Sequence, residues 1–567
     1  MEKRDDEGKM EESDEDAIET FELNEELITN FELLSIRNTQ IDPNEEEEVI
    51  NSMLDFLISD NVVEEEEIVE GLLELLGNEL NSMVKVDLVA LCKDLKIAHS
   101  GNMQTLRKRI LNFHEKDLGW ETPDADFQFK PRVRNHFLNH PNEIDSNSTP
   151  FQIFSHFFNE EYVELFAAEL TRIIKVYPRR GLESIKVDKY LVYGYLCLVL
   201  ETSWYNLGDL KIYHDLENTL FSTCGIPQNI FLQLTTALWH LSDEFFSKLE
   251  QHLNYAFVKK YTPTKDLAID ETLRHFKGRW GSKVYAPDKP AKFGIKYYCM
   301  VDKSGYLLWF KLHRATPVGE LVDNDITFKL CKSAVDHLVA LNPTSSFQLF
   351  VDSYYGSLKL TEYVLSKNWD LTFAIKANRV ETSGLIAYMK ASIEETSAGP
   401  FSTRVNLQKT LAIGVWKDKG WFHFLSSTHA NSIILARRKK DGQKVIEPVS
   451  EAAHYYTHYG MGSVDRFNQI ISYHDWPHRN MSWRSCHFQS LFRFILLNSW
   501  VIFKCFKGKS RYRKFIKKLQ VELVEKFKEG QKKKKEKQLQ VKRKQSAERS
   551  KRYRERKKKM ESESMEN

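Results

Sequence analysis

Long apolar runs are missing from this chain. Its longest uncharged apolar stretch, within Tyr190–Leu200, is about half of the roughly 20 residues a membrane-spanning helix requires. That stretch predicts a buried helix, and no membrane partner is expected. Cysteine is scarce as well: seven residues, Cys92, Cys197, Cys224, Cys299, Cys331, Cys486 and Cys505, without a Cys-x-x-Cys pair. A cysteine zinc cluster and a disulfide framework are therefore both disfavoured, and reduced thiols in the nucleus or cytosol are expected. No glycine-rich phosphate loop is present, which argues against a nucleoside triphosphate site. His454 and His458 stand four apart but lack the glutamate of a His-Glu-x-x-His zinc motif. The opening Met-Glu-Lys-Arg-Asp-Asp turns acidic at once, where a secretory signal would need an apolar core.

What is present is length and a divided charge. The 567 residues are 42% hydrophobic and 12% aromatic, enough for a large core and several domains. The net charge of +1 hides an asymmetry. Met1–Leu80 holds 28 acidic and 4 basic residues, whereas Lys504–Met560 holds 26 basic and 6 acidic ones. A basic block of that density attracts polyanions by releasing their counterions.

Texture divides the chain further. Residues 1–80 read as an acidic, partly disordered arm, with apolar clusters at helical spacing after residue 44. In 82–115 one apolar face (Val84, Val86, Leu88, Leu91, Leu95) is followed by His99-Ser100-Gly101-Asn102 and a second face with Arg107, Lys108 and Arg109 interleaved. This helix–turn–helix resembles the SAP module, which binds DNA largely through its second helix. Residues 116–147 read as a linker and 149–258 as a helical region. Short β-branched and aromatic runs then predict strands at Gly294–Val301, Tyr306–Leu312, Phe347–Val351 and Leu371–Ile375, with helices over Ile326–Leu341 and Ser357–Leu365. Strands first and then strand–helix alternation imply an α/β sheet covered by helices. Strand-like pieces recur at Leu411–Trp416 and Trp421–Leu425, and Val464–Phe506 reads as mostly helical. Residues 507–567 read as a basic tail for nuclear import and DNA contact, because no leucine heptads follow its bZIP-like stretch.

Three acids carry the chemistry. Leu267-Ala268-Ile269-Asp270 and Leu349-Phe350-Val351-Asp352 are apolar strands that each deliver an aspartate to an open, rigid tip. Asp465 sits near the start of a helical segment, in Gly460-Met461-Gly462-Ser463-Val464-Asp465-Arg466-Phe467-Asn468-Gln469. Carboxylates of this kind can hold Mg²⁺, and a pair of such ions can activate one oxygen and stabilise another in phosphodiester cleavage.

Together with Lys289-Pro290-Ala291-Lys292-Phe293-Gly294-Ile295-Lys296, Met481-Ser482-Trp483-Arg484 and Leu497-Asn498-Ser499-Trp500, these blocks resemble the piggyBac transposase family over residues 149–506. The resemblance implies an α/β fold: an RNase H-like catalytic core (259–377 and 457–506), an insertion domain (378–456) and flanking helical regions, 149–258 among them for dimerisation and DNA binding. It carries Asp270, Asp352 and Asp465 into the catalytic and metal-ligand positions, with Mg²⁺ or Mn²⁺ as cofactor. It implies cleavage and strand transfer on double-stranded DNA, at transposon ends and TTAA targets, by a nuclear homodimer. Lys289, Lys292 and Lys296 beside the first acid, and Trp483 near the DNA end, become candidate DNA contacts with Arg107, Lys108 and Arg109. Two departures stand out. The family often has a second aspartate where this chain has Asn468, a candidate further ligand that brings no charge, and the family's cysteine-rich zinc-binding segment has no counterpart here. A transposase-derived nuclear DNA-binding protein without transposition is the alternative reading.

Overall fold

The computed structural model describes residues 120–124, 127–129, 144–204, 212–213, 219–287, 289, 292–315, 325–377, 382–395, 401–418, 420–440, 443–472, 482–508 and 510–565. The acidic arm and the SAP-like segment with Arg107, Lys108 and Arg109 lie outside the described residues.

A strand β1 (Trp120–Glu121) precedes a helical layer of α1 (Pro150–Ser155), α2 (Glu160–Val176), α3 (Lys189–Trp204), α4 (Leu220–Cys224), α5 (Gln228–Ala237) and α6 (Asp243–Lys259). Local chemistry sets the helix starts. Thr149 and Gln152 form a reciprocal capping box at α1, and Asn159 and Ser242 cap α2 and α6 with their side-chain oxygens. The uncharged run seen in the sequence forms most of α3, buried throughout Val192–Leu200. Among the described residues no helix is long and apolar enough to cross a membrane.

The sheet follows. Strands β2 (Asp266–His275), β3 (Val284–Tyr285), β4 (Phe293–Asp302) and β5 (Leu307–Leu312) are antiparallel neighbours. After α7 (Ile326–Leu341) comes β6 (Gln348–Val351), parallel to β2, and after α8 (Leu358–Ser366) comes β7 (Asp370–Ala374), parallel to β6. The resulting order β5-β4-β2-β6-β7 is that of an RNase H-like core. Helix α9 (Ser383–Glu395) leads to β8 (Phe401–Asn406), β9 (Ala412–Lys417) and β10 (Trp421–Ser426). These strands fall in the segment expected as an insertion domain. β10 pairs with β7, from Phe424 opposite Ala374 to Ser426 opposite Thr372, so β8–β10 extend the same sheet. An unpaired β7 edge would expose a row of backbone donors and acceptors, and β10 covers it. A ribbon, β11 (Ile433–Lys440) and β12 (Gln443–Ser450), forms a second small sheet.

The chain then returns over the core as α10 (Glu451–Tyr455), a π-helical stretch (Tyr456–Met461) and α11 (Gly462–Ser472), followed by α12 (Trp483–Lys507) and α13 (Tyr512–Met565). α12 is buried on all sides from Ser485 to Phe503, as a helix at the centre of a large domain must be. Its polar groups are matched in place. Asn498 accepts from Leu307 N and donates to Leu307 O, both at 2.8 Å, and His487 lies between Tyr297 Oη (2.8 Å) and Glu250 Oε1 (2.6 Å). The first part of α13 is also core. Phe515, Ile516, Leu519, Leu523, Val524 and Phe527 are buried against α3 and α1, so the basic tail expected from residue 507 begins as a packed amphipathic helix. Lysines crowd the outer face of that stretch, and in the sequence their number masks the apolar stripe beneath.

Candidate active site

The parallel pairing of β2 and β6 matches Ala268 with Phe350 and Ile269 with Val351. Asp270 and Asp352 are the next residue on each chain, so they leave neighbouring strands side by side, on strands about 4.8 Å apart. Each carboxylate accepts from the amide of the residue after it: Glu271 N to Asp270 Oδ1 at 2.7 Å, and Ser353 N to Asp352 Oδ1 at 2.6 Å. Burial and then the neighbouring Glu271 charge push the Asp270 carboxyl up to about 8. Glu271 behaves oppositely. Burial pushes it up, but the hydrogen bond with Asp270, the charges of Lys296 and Lys289 and the Tyr355 hydroxyl (3.0 Å) outweigh that and hold it below the usual range.

Asp465 arrives from the covering layer. Strand alternation puts Ala268, Asp270 and Thr272 on one face of β2, and the register puts Phe350 and Asp352 on the same face of β6. The π-helical stretch and α11 cross that face. Gly460 lies directly on Phe350, where a Cβ would come within 2.4 Å of the ring, and Asn468 accepts the Thr272 hydroxyl. Asp465 stands between those two anchors, itself exposed. Tyr456 is buried under the same layer. Burial raises its phenol, and so do the charges of Asp352 and Asp270, which places it beside the pair.

The structure therefore pairs Asp270 with Asp352 and sets Asp465 on the helix above them. Among the described residues no group of three or more His, Cys, Asp or Glu side chains is arranged to hold a metal ion. The donors still suit a hard cation. All are oxygens, and one of the carboxylates is desolvated next to a second acid, a condition that a divalent ion relieves. Asn468 already uses its side-chain oxygen on Thr272.

The candidate DNA contacts fall in different places. Lys289 pairs with Glu271 at 3.8 Å, and Lys296 lies over the rings of Tyr298 (5.0 Å) and Tyr354 (5.8 Å), so both line the acid site. Lys292 is exposed. Trp483 stacks on Trp280, centroids 5.1 Å apart, with the Arg484 guanidinium 4.7 Å from its ring centre. A nucleobase would have to share that ring with protein groups. Sequence reasoning missed Tyr355 and Tyr456. Tyr355 stands in the Asp-Ser-Tyr-Tyr block beside the second acid, whereas Tyr456 carries no local signal.

A family profile described as Transposase IS4 matches residues 149–500. Two human relatives are similar over shorter stretches. PiggyBac transposable element-derived protein 3 is 21% identical over 300 residues, covering 52% of this chain and 49% of that protein. PiggyBac transposable element-derived protein 2 is 23% identical over 248 residues, covering 43% and 41%. The chain belongs to the piggyBac transposase family. Its match spans about half the length, or less, of these curated relatives. The piggyBac fold extends to a solved structure, the cryo-EM structure of a piggyBac transposase synaptic complex with hairpin DNA. That likeness has a TM-score of 0.55 at 18% identity and covers 68% of this chain and 82% of that one.

Proposed function

We propose that this piggyBac-family protein is a metal-dependent transposase that cleaves DNA strands at transposon ends and joins them at TTAA targets. The observation that carries the reading is the pair Asp270 and Asp352 at adjacent strand tips, with Asp270 held in a desolvated, under-neutralised state. In this reading Asp270, Asp352 and Asp465 hold Mg²⁺ or Mn²⁺. Such ions supply Lewis acidity to an attacking and a leaving oxygen. Glu271 holds Lys289 and Tyr355 beside the pair, and Lys289 and Lys296 bring positive charge to a phosphate there. Arg107, Lys108, Arg109, Lys292 and Trp483 are further proposed DNA contacts. The related piggyBac synaptic complex is one with hairpin DNA, which supports duplex DNA ends as the substrate class. A homodimer acting in the nucleus completes the reading. Sedimentation of the full chain as a monomer on DNA would remove the dimer, and cytoplasmic imaging of a tagged chain would remove the nuclear site.

The test is nicking of a labelled duplex carrying an inverted-repeat end beside TTAA, with Mg²⁺, by the parent chain and by Asp270→Asn. The variant is expected to lose at least about 1,000-fold in rate, equivalent to about 4 kcal/mol. Equal rates would remove Asp270 from the mechanism. One observation favours a second reading, a transposase-derived DNA-binding protein without transposition: Asn468 replaces an acid often found in the family and is bonded to Thr272. Specific DNA binding by the parent chain with no nicking in Mg²⁺ or Mn²⁺ is the outcome that reading expects.

A further inference from the structure

α13 changes character part-way along. Up to Phe527 it is amphipathic and packed. Gly530 ends that half against Tyr190, whose ring would lie 2.1 Å from a Cβ at residue 530. Lys533 and Lys534 close the junction, Lys533 on Glu529 (2.6 Å) and the Tyr190 hydroxyl (3.2 Å), Lys534 on Asp188 (2.8 Å). From residue 535 to 556 the same helix continues with every residue exposed.

Residues 531–556 hold 13 Lys and Arg against 3 Glu. Leu539, Val541, Ala547 and Tyr553 are the apolar residues among them and form no heptad, so a second copy of the helix has no seam to pack on. Like charges recur one turn apart, as at Lys533 and Lys537, Arg549 and Arg552, and Arg552 and Arg556. Such pairs destabilise an isolated helix. A helix without an apolar face and with repelling side chains needs counter-charge from outside. The partner that supplies it must be an extended polyanion. At about 1.5 Å per residue the segment is about 39 Å long. Duplex DNA offers a negative charge every ~1.7 Å of its axis and a major groove about 12 Å wide, which admits a helix.

We infer that residues 531–556 are a DNA-contact arm: a helical extension of the packed half of α13 that lies along duplex phosphates, apart from the carboxylate site. The arm deepens the DNA reading above but uses none of its acids. It binds without regard to base sequence, because its lysines and arginines present charge on every side. The deep, narrow major groove of duplex RNA does not admit side chains in this way.

The test compares the full chain with a full-length variant carrying Lys542→Gln, Arg543→Gln, Lys544→Gln, Arg549→Gln, Lys551→Gln and Arg552→Gln. Dissociation constants for a duplex of arbitrary sequence are measured by fluorescence anisotropy over a KCl series. Every phosphate that is no longer neutralised takes about 0.9 from the slope of log K against log salt, so if half of the six cations face the duplex the variant's slope is shallower by about 3. The thermal midpoint should not move, because the packed half is untouched. Added DNA should raise the helical signal in far-ultraviolet circular dichroism for the parent and not for the variant. An unchanged slope overturns the inference, and so does tighter binding to a duplex RNA of equal length. The arm and the catalytic reading fail separately. Nicking can persist in the arm variant at low salt, and the slope difference can stand in a parent chain that does not nick.

Discussion

Two aspartates, the half-buried Asp270 and the buried Asp302, sit on the paired strands β2 and β4 and have opposite surroundings. Asp302 is saturated. It accepts from Tyr261 Oη (2.8 Å), Thr264 N (3.1 Å), Ser304 N (2.9 Å), Ser304 Oγ (2.5 Å) and Tyr306 N (3.1 Å). Asp270 accepts from one neighbouring amide, shares its surroundings with a second carboxyl and is pushed up in pKa by burial. A carboxylate that ends its hydrogen-bond needs inside the protein is structural. One left short of donors in a desolvated place is prepared for a ligand from outside. Sequence position alone does not separate them, since each lies on a strand behind an apolar run.

Removing the saturated acid should give the largest effect. Asp302→Ala strands several buried donors at once and should cost about 5 kcal/mol of stability, read by urea unfolding. A loss below about 1 kcal/mol would show that the network is not what holds the β4–β5 turn. The layer over the functional acid comes next. Gly460→Ala drives a methyl into the Phe350 ring, two residues before Asp352, and should cost about 1–3 kcal/mol. Because the same contact carries Asp465, nicking should fall more than stability does. An equal fall in both would reduce Gly460 to a packing role.

The third effect is the most diagnostic. The folded Asp270 carboxyl titrates near 8 and the unfolded one near ~3.9. The folded state therefore holds the extra proton between those values, and stability from this group is lost as pH rises through about 8. Asp270→Asn lacks that loss. Its thermal midpoint should equal the parent's near pH ~4 and exceed it by a few degrees near pH ~8. Mg²⁺ should narrow the gap by stabilising the parent alone, in proportion to occupancy. A gap that does not change with pH would mean that Asp270 is as well satisfied as Asp302.

Much of this was legible before folding was considered. The strand tips ending in Asp270 and Asp352, the helix over Ile326–Leu341 and the helix start after Thr149 follow from short-range periodicity and capping chemistry, which a linear sequence carries in full. Phe515, Leu519, Leu523 and Phe527 were legible in principle, at helical spacing, but lay beneath a run of lysines. The pairing of β10 with β7, the placement of Tyr456 beside the acids and the five donors around Asp302 were not. They join groups separated by two to more than a hundred residues, and the partners distant in the chain are set by sheet register and by the layer packed over it. Which residue types stand at the strand ends, and where the charge lies, can be read along the linear chain. Which of the two acids is satisfied and which is left for a ligand emerges on folding, because hydrogen-bond donors are counted in space and not along the chain.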